Sequence, residues 1–165
     1  MSNLSVGSMT RQSGYTYLGL LFLLAVMAAV NAASLRIGTT LQRSVAEQEL
    51  LDKGLSFTRA FESYARATPA GGNPYPADLQ DLLRDPRYPD KLVRHLRRIE
   101  VDPMTGRAVW GVKRHLSKPG IIGVHSLSDQ ASLRRDLQAP FRDFNDETYY
   151  RDWVFVGGLG EEGVH

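Results

Sequence analysis

The stretch Gly14-Tyr15-Thr16-Tyr17-Leu18-Gly19-Leu20-Leu21-Phe22-Leu23-Leu24-Ala25-Val26-Met27-Ala28-Ala29-Val30-Asn31-Ala32-Ala33-Ser34-Leu35 carries no charge and few polar groups. At the helical rise per residue, Tyr15 to Leu35 is long enough to cross the roughly 30 Å hydrocarbon core of a bilayer. The sequence therefore predicts a single membrane-spanning helix over 15–35, in contact with membrane lipid. Upstream lies a short polar leader, 1–14, with one cation, Arg11, and no acid, as export signals begin.

Downstream the helical pattern runs on. Ile37, Leu41, Val45, Leu51, Leu55, Phe61 and Ala65 recur at spacings of three to four or their sums, with charged residues between them. This predicts an amphipathic half-helix over 36–68. No proline falls between Tyr15 and Thr68, and Pro69-Ala70-Gly71-Gly72 then ends the helix. Gly38 and Gly54 are expected bends, since glycine lowers helix propensity by about 1 kcal/mol relative to Ala.

The remainder, 69–156, has the size of one small domain. Pro74 to Leu83 predicts a proline-opened short helix, and Pro89 to Arg98 a second, with Leu92, Val93, Leu96 and Ile99 on its apolar face. Within it Arg94-His95-Leu96-Arg97-Arg98 reads as a solvated basic face. The turn Asp102-Pro103-Met104-Thr105-Gly106 leads into a strand over 108–112, the turn Lys118-Pro119-Gly120 into a second over 121–126, and Tyr149 to Val156 is a third. Short strands joined by tight turns favour an antiparallel sheet, and a long helix covering it gives the α+β class. The segment 127–143 reads as a variable surface loop or short helix, and the glycine-rich 157–165 as a flexible tail.

Two processing sites compete on the residues. Val30-Asn31-Ala32 before Ala33 is a small-x-small signal-peptidase site, and cleavage there would release a soluble exported binding domain. The other site follows Gly14. Arg11, Gly14, Tyr15, Thr16 and Leu18 in that order resemble the leader junction of type IV pilin-like proteins, most closely the pseudopilins of bacterial type II secretion. The resemblance extends to Tyr75-Pro76-Ala77-Asp78-Leu79, the Asp-Pro turn before Trp110, the glycine-bearing second strand and Tyr149-Tyr150-Arg151-Asp152-Trp153.

It implies cleavage by prepilin peptidase between Gly14 and Tyr15, N-methylation of Tyr15, and a pilin-like fold with the long helix packed on a small sheet. The subunit would lie in the inner membrane with its domain in the periplasm, against other pilin-like subunits and an inner-membrane assembly platform. Leu18, Gly19, Ala25, Ala28 and Ala29 would lie in the helix assembly surface, where small residues permit close approach. The family usually carries Glu where this chain has Gly19, which makes a minor subunit of a secretion filament or of a type IV pilus an alternative. Arg36 and Arg43 follow the span, so charge counting alone opposes the topology that the leader motif implies.

No catalytic motif is present: there is no Gly-x-Ser-x-Gly, no glycine-rich phosphate loop and no His-Glu-x-x-His, so no enzyme is expected. His115 and His125 would be the nearest approach to a zinc pair. Asp143, Asn145, Asp146 and Glu147, with Asp152, form an acidic cluster that reads first as a solvated turn; calcium, which its oxygen ligands suit, is the alternative and the one cofactor the residues suggest. With 20 Lys and Arg dispersed among 18 Asp and Glu, nucleic acid is not an expected partner. The absence of cysteine excludes disulfides, thiolate metal sites and a lipidated cysteine anchor.

Overall fold

The computed structural model describes residues 13–158, and for 13–16 and 28–40 only the backbone. The fold is α+β: a long helix and a three-stranded antiparallel sheet. Helix α1 runs Ser13–Arg66, and the chain divides into two units between Gln42 and Arg43. In the first unit every residue from 17 to 27 is exposed.

In the second unit α1 buries one face. Glu47, Leu50, Leu51, Gly54, Phe57, Ala60, Phe61 and Tyr64 recur at three- and four-residue steps and line the core. This is not the stripe that the apolar pattern suggests, because Leu41 and Val45 are 63% and 68% exposed. At about 100° per residue, Val45 sits about 200° around the helix from Glu47. The buried face passes through an acid and a glycine, which a search for apolar residues skips.

The sheet order is β1-β2-β3, with β1 Gly111–Arg114, β2 Ile121–His125 and β3 Phe155–Val156. Gly111 pairs with His125, and Val124 with Phe155. Strand β2 is buried on both faces from Ile121 to Val124, as its unalternating β-branched run indicates. The first strand starts later than expected because Trp110 is committed to the core. Its Nε1 donates to the Glu100 carbonyl at 2.8 Å and its ring meets Phe57 edge-on at 5.1 Å.

The third strand is shorter than expected for a different reason. Tyr150 and Trp153 are both fully buried, yet residues three apart on a strand point to opposite faces. A 3₁₀ turn over Tyr150–Asp152 brings them to the same side.

Helix α2 is a single turn, Gln80–Leu83, where a longer helix from Pro74 was expected. The acids divert the backbone locally: Asp81 Oδ2 accepts from the amides of Ala77 and Asp78, and Asp78 Oδ1 from that of Gln80. The segment 89–98 is not a helix. The amides of His95 and Leu96 both donate to the Leu82 carbonyl at 2.9 Å, and Val93 O accepts from the Asp85 amide at 3.0 Å. Its backbone bonds go to α2 and the following loop instead of to itself. Leu92 is 59% exposed, so the expected apolar face is also broken.

Gly54 is a point of close approach. A Cβ there would overlap the Phe155 ring, which is itself buried. Gly54→Ala therefore overpacks the core despite the helix propensity it adds. The expected loss is about 1–3 kcal/mol, read as a lower thermal midpoint by circular dichroism.

Candidate functional site

The first unit presents an apolar surface without cover. Tyr17, Leu18, Leu20, Leu21, Phe22, Leu23, Leu24, Val26 and Met27 are between 44% and 71% exposed. Residues 17–27 make about three turns, roughly 16 Å of helix, so this surface faces every direction around the axis. Exposed apolar area of that extent is characteristic of surfaces that meet protein or lipid. Leu18 is 64% exposed, a Cβ on Gly19 would meet nothing within 4 Å, and Ala25 is exposed.

Gly14 and Tyr15 lie in the helical backbone of α1, while their side chains, like those of Ala28 and Ala29, fall outside the described residues. The leader 1–12 and the tail from 159 also lie outside them. Among the described residues, no helix is long and apolar enough to cross a membrane. The expected span runs on into residues whose side chains are not described.

In the second unit three buried acids, Glu47, Asp85 and Asp102, tie loops to α1 and to the sheet, and sequence reasoning anticipated only Asp102, as a turn residue. Glu47 Oε2 accepts from the Tyr150 hydroxyl at 2.6 Å and the Leu133 amide at 2.9 Å, and Arg134 Nε lies 3.3 Å from Oε1. Arg43 Nη2 donates to the Ala131 carbonyl at 2.7 Å, and Arg134 Nη1 to Gln48 Oε1 at 2.7 Å. The loop read as variable is thus fastened to the helix. Burial, with Glu47 beside it, pushes Tyr150 up to about 12, so its hydroxyl stays a donor.

Asp102 closes the 102–107 turn. Its Oδ1 accepts from the Met104 amide, and its Oδ2 from the hydroxyls of Thr105 and Ser126, the latter at 2.8 Å. Gly106 has φ 70°, a left-handed conformation that glycine adopts without strain.

Asp85 holds the end of α1. Arg87 donates to both its carboxylate oxygens, Nε at 2.8 Å and Nη2 at 2.6 Å. The same guanidinium reaches the Tyr64 carbonyl at 2.9 Å and Thr68 Oγ1 at 2.7 Å, and lies 3.6 Å over the Tyr64 ring. It serves carbonyl groups that the helix end leaves unpaired. Tyr88 does the same for Ala67 O at 2.6 Å.

His95 joins this cluster, with Nε2 3.2 Å from Asp85 Oδ2 and Nδ1 2.9 Å from Ser63 Oγ. That hydroxyl–imidazole–carboxylate string has the order of a nucleophile relay. Ser63 lies inside α1, however, where the neighbouring backbone amides are given to the helix ladder and form no backbone oxyanion hole. The string works as a strut.

The candidate cation ligands lie in or beside two short 3₁₀ turns. Asp143 and Asp146 are exposed in the 3₁₀ turn Arg142–Asp146, and Glu147 is half-buried just after it. Asn145 is spent internally: its Oδ1 accepts from the Leu137 amide at 2.7 Å and its Nδ2 donates to the Leu137 carbonyl at 3.0 Å. Asp152 lies in the next turn, 3.8 Å from Arg151 Nε. Among the described residues no three His, Asp or Glu side chains converge as a metal site. His115 and His125 do not form a pair. His125 stands opposite Gly111 at one end of the hairpin, whereas His115 follows Arg114 at the other and its Nδ1 accepts from the amides of Ser117 and Lys118.

Compared with protein-family models, with curated proteins and with solved structures, the chain matches none.

Burial alone would raise Asp85, but the side-chain and backbone hydrogen bonds from Arg87 and that from His95 outweigh it and lower the carboxyl to about 2. A depressed carboxyl contributes stability that is present above its unfolded value and lost as pH falls through the folded one. The contribution, about 2 kcal/mol, should be present above pH ~4 and vanish towards pH ~2. Asp85→Asn should lose it at neutral pH and converge with wild type in acid, measured by urea unfolding across that window. Glu47→Ala strands the Tyr150 hydroxyl and the Leu133 amide in the interior, and should cost about 3 kcal/mol in the same assay.

Proposed function

We propose that the chain is a pilin-like structural subunit of a bacterial secretion apparatus, a pseudopilin of the type II kind, that works by assembly and not by catalysis. The observation that carries this reading is the change of character along α1. The helix is apolar and exposed on every side at 17–27, then buries one face in the core of an α+β domain from Glu47 to Tyr64. The exposed apolar surface of its first part calls for a cover. Membrane before assembly and neighbouring helices after it would supply that cover in turn.

In this reading prepilin peptidase cuts between Gly14 and Tyr15, and Tyr15 is N-methylated. The subunit waits in the inner membrane with residues from about Arg36 outward in the periplasm, and an assembly platform adds it to a short filament that supports protein export. Gly19 removes the carboxylate that would pair with a neighbour's terminal amine, which fits a minor subunit, in a secretion filament or a type IV pilus. Calcium, if it takes part, would engage Asp143, Asp146 and Glu147, because Asn145 already holds Leu137.

A second reading, a soluble exported binding domain freed after Ala32, draws on one observation: the compact second unit starts at Arg43, so cleavage there would spare it.

The test is the intact mass and N-terminal sequence of the mature protein from its native membranes. An N-methylated Tyr15 terminus is expected; a terminus at Ala33 would replace this proposal with the second reading. Substitution of Gly14 by a bulky residue should leave the leader in place and the protein at its precursor mass.

A further inference from the structure

Basic charge gathers at one end of the domain. Residues 84–98 contain six Lys and Arg against two Asp, and no acid occurs from Pro103 to Ser128, although the net charge of the whole chain is only +2. These two segments meet beside the C-terminal end of α1. Arg87 Nη1 donates to Asn73 O at 3.3 Å, Asn73 Nδ2 donates to Pro119 O at 2.6 Å, and the Tyr75 ring lies 4.8 Å from that of His115. The strap 84–98 and the tip of the β1–β2 hairpin are thereby joined through residues 73–75.

The cations on this end are unspent. Arg84, Lys91, Arg94, Arg97, Arg114 and Lys118 are exposed, and among the described residues none of their side chains makes an ion pair or a hydrogen bond. The same two segments each carry one exposed leucine, Leu92 at 59% and Leu116 at 83% exposure. The strap is also rigidly based. Its inward residues Asp85, Arg87 and His95 form the buried strut, and its backbone is bonded to Leu82. A surface held in place this way loses little conformational freedom when a partner docks.

We propose that this end of the domain is a docking surface for an acidic polypeptide segment that also carries apolar side chains. Arginine forks pair carboxylates in a fixed geometry, and Leu92 and Leu116 give such a segment apolar contacts between the charges. Nucleic acid and anionic membrane fit less well. Surfaces for single strands and for membrane interfaces use exposed aromatic rings, whereas Tyr64, Tyr75 and Tyr88 here are buried or half-buried. Duplex phosphates gain nothing from two solvent-facing leucines. A second copy docked through the same surface would set six free cations against six.

The proposal rests on the pilin-like reading only for the compartment in which the partner is met. It is tested on the full chain held in phosphatidylcholine nanodiscs, with a fluorescent peptide of repeated Glu-Leu-Glu units read by anisotropy at about 0.15 M salt. Wild type should bind. The pair Arg94→Glu and Arg97→Glu should weaken binding about tenfold or more, and the pair Leu92→Ser and Leu116→Ser about fivefold, with thermal midpoints unchanged in both. Absence of wild-type binding, or full binding by the leucine pair, would overturn the proposal. So would equal affinity for duplex DNA or for phosphatidylglycerol vesicles, which would reassign the surface to that partner. A mature terminus at Ala33 would sink the assembly reading and leave these affinities as they are, so the two failures are separable.

Discussion

Phe155 lies where a side chain on Gly54 would have to be, and the architecture of the second unit depends on that contact. It lets β3 approach the backbone of α1, and β3 in turn pairs with the fully buried β2. Phe57, Phe61, Tyr150, Trp153 and Leu82 fill the space around this line. The helix is thus half of the core and not a stalk attached to a finished domain. Disturbing its packing face would disturb the sheet with it.

Around that core, acids do the fastening. Glu47, Asp85 and Asp102 are fully buried, and each binds a segment that forms little regular structure: the loop after β2, the strap 84–98 and the turn before β1. Among the described residues outside α1, three short strands, one single-turn α-helix and two 3₁₀ turns leave many loop amides and hydroxyls to satisfy. A buried carboxylate that accepts two or three of them does this where no ladder is available. With these acids engaged inside, Arg84, Lys91, Arg94, Arg97, Arg114 and Lys118 have no ion-pair partner among the described residues. The electrostatic polarity of the domain follows from the way its loops are held.

The long helix, the antiparallel sheet and the position of β2 were legible in the residues. An uninterrupted proline-free run ending at Pro69, a β-branched run and two turn sequences are local signals, and local sterics decide them. The burial face of α1, the role of Gly54 and the lengths of β1 and β3 were not. They follow from the need to bury Trp110, Tyr150 and Trp153 together, residues far apart along the chain from the helix they cover. The segment 89–98 has a passable helical pattern, but Leu82 O takes two of its amides and the Asp85 amide takes its Val93 carbonyl. The apolar run at the start of α1 was plain from composition alone. The acids of 143–147 looked alike in sequence, and only the fold shows Asn145 holding Leu137 while its acidic neighbours lie outward.

By itself the sequence determined the elements whose causes are local: a helix of 54 residues, apolar and uncharged in its first part, and strands set off by turns. It also fixed the absence of thiol chemistry. Only the tertiary structure decided which helix face is buried, which acids are structural and which cations remain free. Those outcomes depend on competition between groups distant in sequence for the same interior volume and the same hydrogen-bond partners, and no pattern within a window of residues records that competition.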